Sequence, residues 1–349
     1  MPASHPAPRR LAAVAVLLTI GLAACPGKSQ HAATSPTPTA RTTGTPTATA
    51  TPAASASPTA VASLQARSAS LSLPAARYRT TGAAIGNDLY VLGGLDAAGA
   101  PTDDVERVQP SASKASLAGH LATPTAGGAA VASGAKILVF GGGGGAPLNL
   151  VQLFDPATGT AAKAGAMPHP RTEATATQVG NEIIVLGGFD ATAAVPEILA
   201  TADGSSFHVV GRLVTPVRAP AVAAVGTTVY IFGGVVSGPD YTGTFSPAVQ
   251  SYNISTGLSK TVGTLPAPLA HAKAFALGDQ VYVMGGSTPN GPSAAIQRFD
   301  PRSGVLNPAG TLPGPVADAA AASIGSTSYL AGGIAAKPLT EIVAVSPGR

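Results

Sequence analysis

An all-β fold of repeated four-stranded units is what this sequence predicts, on three observations. Six glycine pairs, Gly93-Gly94, Gly141-Gly142, Gly187-Gly188, Gly233-Gly234, Gly285-Gly286 and Gly332-Gly333, recur at steps of 48, 46, 46, 52 and 47 residues. Before each pair stands a short apolar run, such as Ile183-Ile184-Val185-Leu186 or Val281-Tyr282-Val283-Met284. Seven positions before each pair there is another glycine: Gly86, Gly134, Gly180, Gly226, Gly278 and Gly325. Self-similarity at such a period marks a repeat architecture, each repeat being one supersecondary unit.

Each element of the repeat follows from local chemistry. The apolar runs are rich in β-branched and aromatic residues and bounded by turn residues, so they read as buried strands. The upstream glycine fits a two-residue hairpin turn needing positive φ at its first position. Upstream of that turn lies a strand of small residues, such as Ala174 to Val179 or Ala221 to Val225. Downstream of the pair come a variable loop and a third strand ending in a turn: Phe154-Asp155-Pro156-Ala157-Thr158-Gly159, Tyr252-Asn253-Ile254-Ser255-Thr256-Gly257 and Phe299-Asp300-Pro301-Arg302-Ser303-Gly304. Asp or Asn opens such a turn through its side-chain oxygen, and Gly closes it. A fourth strand follows, punctuated by Leu or Met and Pro, as at Met167-Pro168, Leu265-Pro266 and Leu312-Pro313. Four short strands per unit of this length describe a propeller blade.

The set of motifs resembles the kelch repeat from about Ser68 to the C-terminus. That resemblance implies a six-bladed kelch-type β-propeller with four-stranded blades. It departs in one respect: kelch blades usually carry a Trp at the start of the fourth strand, and this chain has none. The corresponding register holds Ala115, Ala161, Phe207, Ser259 and Leu306, which predicts a thinner blade-to-blade core. The sixth unit ends after its third strand, Glu341 to Val345, whereas Ser68 to Pro74 precedes the first unit and carries fourth-strand punctuation. The N-terminal segment is therefore expected to pair with the last blade, closing the ring and covering its edge.

The expected organisation is a leader over 1–24, a lipidated Cys25 and stalk over 25–66, and the propeller over 67–349. Arg9-Arg10 and the apolar stretch Leu11 to Ala24 read as an export signal too short to span a bilayer. It ends in Leu22-Ala23-Ala24-Cys25, which resembles the lipobox of bacterial lipoproteins and implies a lipid on Cys25, anchoring the protein to the outer face of the cytoplasmic membrane. The Thr/Pro/Ala/Ser-rich stretch after it cannot bury enough apolar surface to fold and is expected to be a disordered stalk. Cys25 is the only cysteine, so the domain has no disulfide and no thiolate chemistry. The formal charge of +4 becomes 4 − 2 = +2 without Arg9 and Arg10, too little for a nucleic-acid footprint.

Catalytic signatures are missing from the sequence: no phosphate loop, no His-Glu-x-x-His, no Gly-x-Ser-x-Gly. No cofactor or metal is expected, since the six histidines show no metal-ligand spacing. One constellation stands out. Fourteen residues before each glycine pair come Arg79, Gly127, Glu173, Ala219, His271 and Asp318, which symmetry places at one height around the axis. Arg77 and Arg171 lie two positions earlier, and Arg218 one place before Ala219. The kelch resemblance puts this register at the channel mouth, on the ligand-binding face. A polar ring of Arg77, Arg79, Arg171, Glu173, Arg218, His271 and Asp318 is the expected ligand site; the same residues also suit solvating the channel and pairing among themselves. The long loop Val235 to Ala248, with Asp240, Tyr241 and Phe245, is the second candidate, suited to a partner.

These features favour a monomeric, non-catalytic, lipid-anchored binding module that recognises a cell-envelope protein or glycan. The alternative is a carbohydrate-active enzyme of the sugar mutarotase type, with Glu173, His271 or Asp318 as acid and base beside an Arg. A copper-dependent sugar oxidase is disfavoured because its cross-linked cofactor needs an internal Cys.

Overall fold

The computed structural model describes residues 63–348. The leader, Cys25 and nearly all of the stalk lie outside the described residues, although Leu64 to Ala66, read as the end of the stalk, already belong to a strand. Apart from one 3-10 turn at Pro110–Ala112, the elements among the described residues are strands. The third repeat is representative. Thr172–Val179, Glu182–Phe189, Glu197–Thr201 and His208–Arg212 form one antiparallel sheet in chain order.

Local chemistry accounts for the strands as read from the sequence. The hairpin glycines adopt left-handed φ, from +58° at Gly86 and Gly226 to +62° at Gly180 and Gly278. In the third-strand turns, Asp155, Asn253 and Asp300 accept the backbone N–H two residues on, at 2.9, 3.1 and 3.0 Å.

The sheets are arranged as a propeller. The ladders divide into four four-stranded sheets, two small two-stranded ones and one eight-stranded sheet, rather than the six separate four-stranded sheets expected. The eight-stranded sheet has an internal seam. Thr81–Ile85 through Lys114–His120 and Ala129–Ser133 through Thr160–Ala166 each run as a four-stranded meander, and a single parallel bridge, His120↔Thr160, joins them. Leu64–Arg77 pairs antiparallel with Leu339–Pro347, from Leu64↔Pro347 to Arg77↔Leu339.

The glycine pairs dock each unit on the next. The second glycine donates its N–H to a carbonyl in the following unit: Gly94 to Thr125, Gly142 to Arg171 and Gly234 to Leu269, all at 2.8 Å. Gly333, in the last unit, does the same to Arg77 at 2.7 Å. The first glycine lies with positive φ so close to that carbonyl that a Cβ would collide with it, as at Gly233 against Leu269 O. Only glycine meets both conditions.

The core is divided into clusters shared by neighbouring units. Ile184, Leu186 and Ile198 pack with Val229, Ile231 and Tyr252, and Leu73 and Ile342 pack with Leu89, Val91 and Val108. Without Trp, the aromatic that opens each third-strand turn reaches back to the preceding unit. Phe154 meets Tyr90 at 6.3 Å, Phe299 meets Tyr230 and Phe232 at 5.3 and 5.2 Å, and the Tyr252 hydroxyl donates to Val210 O at 2.8 Å. Each such ring is fully buried, contributing about 1.5–3 kcal/mol.

Candidate functional site

A hoop of backbone hydrogen bonds holds the site. At every one of the six register positions the chain is left-handed: Arg79 φ +52°, Gly127 +64°, Glu173 +57°, Ala219 +49°, His271 +58° and Asp318 +54°. For the five non-glycine residues this conformation costs about 1–2 kcal/mol each. The turn aims each peptide around the axis. Gly127 N–H donates to Arg79 O, Glu173 to Gly127, Ala219 to Glu173, His271 to Ala219 and Asp318 to His271, at 2.6–3.0 Å. Thr80 N–H completes the circuit to Asp318 O at 3.4 Å.

Five of the seven residues read as a polar ring converge on this hoop. Glu173 pairs with Arg79 and faces Arg218 Nε at 3.7 Å. His271 Nδ1 lies 3.0 Å from Asp318 Oδ1. Arg77 and Arg171 do not join them. Arg77 is buried against Asp104 and Glu106 at 2.6 and 2.9 Å. Arg171 is fully buried and donates to Gly187 O and Glu197 O at 3.2 and 2.8 Å, with burial lowering its pKa to about 10. The left-handed turn at 79 and 173 breaks the strand alternation that would put residues two apart on one side, so both arginines turn instead toward partners within their own units.

The long loop also departs from expectation, because it folds inward over the ring. Asp240 bridges Arg79 Nη1 at 3.1 Å and Arg218 Nη2 at 2.8 Å. Tyr241 donates its hydroxyl to Asp318 and stacks on His271, with centroids 4.8 Å apart. Phe245 is buried beside Val235 and Ala270 rather than offered to a partner. His271 Nε2 lies 2.9 Å from Asp240 O, an acceptor only, so that nitrogen carries a proton. The two candidate surfaces are thus one site. The loop caps the His271–Asp318 side, while Arg218 stacks over Phe189 at 4.7 Å on the other.

Electrostatics follow from this enclosure. Burial would lower the His271 pKa, but the charge and hydrogen bond of Asp318 outweigh it and raise it to about 9. Asp318, pushed up by burial, is pulled well below the usual carboxylate range by His271 and Tyr241. Burial pushes Glu173 up to about 7 against the charge of Arg79, and Glu173 Oε2 accepts no hydrogen bond among the described residues. Burial and Asp318 together hold the Tyr241 hydroxyl protonated. His271 and Asp318 therefore form an ion pair, and burial leaves Glu173 poised near neutrality.

Beside the capped half opens a cavity of about 450 Å³, with Arg79, Arg218, Asp240 and Phe189 on one side and Gly143 to Gly145 on the other. The place of Gly143 to Gly145 in this wall was not legible from the sequence without knowing which loops share a face. Away from the site, Asp103, Asp104 and His120 bring ligand-type atoms within 4.8 Å of one another. They lie toward solvent, and Asp104 is already engaged by Arg77.

The repeat and sheet arrangement define an all-β, propeller-like fold. Residues 76–114 match the Kelch motif family model. Among solved structures the chain is similar to one described as the structure of YjhT: 16% identity, a TM-score of 0.67, and coverage of 78% of this chain and 95% of that one. A likeness at that identity concerns the fold. No curated protein matches the chain.

Proposed function

We propose that the protein is a lipid-anchored, extracytoplasmic binding module of six blades, recognising a cell-envelope protein or glycan through the hoop face. The six-blade reading counts the eight-stranded sheet as two blades at its single-bridge seam. It takes Leu64–Arg77 as the outer strand completing the last blade and closing the ring. The observation that carries the function is the cavity of about 450 Å³, framed by Arg79 and Arg218, both already held by Asp240. Such a rim is rigid and prepaired, which favours recognition over bond-making.

The cavity is tested by filling it. A Cβ at Gly145 meets nothing within 4 Å, so Gly145→Trp occupies the space at little folding cost. The expected result is at least about a tenfold loss of binding to isolated cell envelopes, equivalent to about 1.4 kcal/mol, with the melting temperature unchanged. Full binding by this variant would reject the cavity as the site.

The second reading, a sugar mutarotase, rests on Glu173 alone, a buried acid near neutrality. Under the binding-module reading, the protein leaves the rate of sugar anomer interconversion, followed by proton NMR, at the buffer value. An acceleration abolished by Glu173→Gln would reverse the order of the two readings.

A further inference from the structure

The cavity on the hoop face has a divided wall. Its charged side chains are Arg79, Arg218 and Asp240, and they stand together, while the rest is backbone or mostly apolar, including Leu95, Phe189 and Pro147. Asp240 sits between the two arginines, with Oδ2 3.1 Å from Arg79 Nη1 and Oδ1 2.8 Å from Arg218 Nη2. It arrives there on the long loop, between the strands Val235–Ser237 and Thr244–Phe245. Gly238 O accepts a further bond from Arg218 Nη2, which ties the entry of that loop to the same guanidinium.

This cluster is balanced in charge but not in hydrogen bonds. Arg79 and Arg218 are matched by Asp240 and, behind them, by Glu173, so no net charge draws an ion in. Donors and acceptors are nevertheless left over. Arg218 Nη1 has no partner among the described residues, and its N–H groups are unused. Each Asp240 side-chain oxygen meets one guanidinium, whereas an ionised carboxylate offers about four lone-pair sites in all. A lone carboxylate brought to Arg218 meets Asp240 beside it, and a lone ammonium brought to Asp240 meets two guanidiniums. Like-charge contact disfavours both. An uncharged ligand strips water from all three groups and replaces only part of that hydration. A ligand with both signs on neighbouring atoms meets none of these penalties.

We propose that the hoop-face cavity binds the zwitterionic head of an α-amino acid, its carboxylate on Arg218 Nη1 and its ammonium on Asp240. The side chain lies against Leu95, Phe189 and Pro147. The inference rests on the reading of this cavity as the binding site, and it names the group that enters. The existing ion pairs stay in place, because the head uses only their spare N–H groups and lone pairs. The same head is presented by a free amino acid and by the end of a larger envelope molecule.

The probe is L-leucine, titrated calorimetrically into the intact protein at about pH 8, above the raised Glu173 pKa of about 7. Isoamylamine, which lacks the carboxylate, and isocaproate, which lacks the ammonium, are the comparators. Leucine should bind saturably, one per chain, and each comparator at least about tenfold more weakly. Asp240→Asn should reverse the order of leucine and isocaproate, since it removes the acceptor for the ammonium and the like charge beside the carboxylate. Because that change can unseat the loop, Arg218→Gln provides a second measurement: leucine should weaken at least about tenfold and isoamylamine should not. Isocaproate bound as tightly as leucine overturns the proposal in favour of an anion site, and isoamylamine bound as tightly overturns it in favour of a cation site. Absence of saturable leucine binding overturns the head-group assignment and leaves the cavity to its own test with Gly145→Trp and cell envelopes. Leucine bound equally by wild type and folded Gly145→Trp overturns both. Release of the protein from envelopes by saturating leucine supports an envelope-borne head. Leucine binding without release supports a free amino acid and moves envelope recognition elsewhere on the protein.

Discussion

Asp318→Ala is expected to cost on the order of 3–5 kcal/mol of stability, the penalty for removing one partner of a buried ion pair. The variant leaves the His271 imidazolium and the Tyr241 hydroxyl without their shared acceptor. It also loosens the cap, since Asp318 holds both Tyr241 and His271, which stack on each other. The pH dependence carries the sign. His271 has a folded pKa of about 9, above its ordinary 6.5, so its contribution is complete below pH 6.5 and is lost as pH rises through 9. Asp318 is shifted the other way, so its contribution is present above its ordinary pKa and is lost as acid drives it down through its depressed one. The gap between wild type and Asp318→Ala in urea denaturation should therefore be widest between about pH 4 and 6.5, and narrower at pH 10. An equal gap at pH 6 and pH 10 would show that the pair is not ionic. Glu173 contributes in the opposite sense to a salt-bridged acid. Its raised pKa of about 7 means that folding takes up a proton, so its share of stability falls between pH 4.5 and 7.

Gly233→Ala should be as damaging for a different reason. The new Cβ would be driven into Leu269 O, and that oxygen cannot retreat because it accepts the Gly234 N–H at 2.8 Å. The residue also sits at φ +62°. Left-handed strain of about 1–2 kcal/mol, overpacking of about 1–3 kcal/mol and a weakened hydrogen bond of about 1 kcal/mol together approach about 3–6 kcal/mol. Gly226→Ala is the matched control. Its φ is +58° with nothing within 4 Å, so it should cost only the backbone strain, about 1–2 kcal/mol. Denaturation midpoints of the two variants separate contact from conformation; similar losses would mean the glycine pairs answer a conformational need alone.

The hairpin glycines, the Asx-opened turns and the strand cores were legible because each is decided within a few residues. The convergence of Arg79, Glu173, Arg218, His271 and Asp318 was legible because register and symmetry fix height around an axis. Side-chain direction was not. Arg77 and Arg171 were counted into the ring on an alternation that holds only in extended chain, and Gly127 in the same register was the one local hint that the backbone there is left-handed. The inward course of the loop around Asp240 and Tyr241 depends on contacts with residues up to 240 − 79 = 161 positions away, between Arg79 and Asp240, which no local pattern encodes. The fusion of two units at His120↔Thr160 is likewise a single long-range bridge.

The hoop at the channel mouth has one more property. Each of its amides points the same way around the axis, so peptide moments of about 3.5 D apiece circulate and sum to almost nothing along the bore. Backbone therefore supplies no intrinsic bias toward anions or cations at the opening. Any charge preference there belongs to the side chains that the hoop carries, and a descendant chain can exchange them for others while its scaffold keeps turning the same circle.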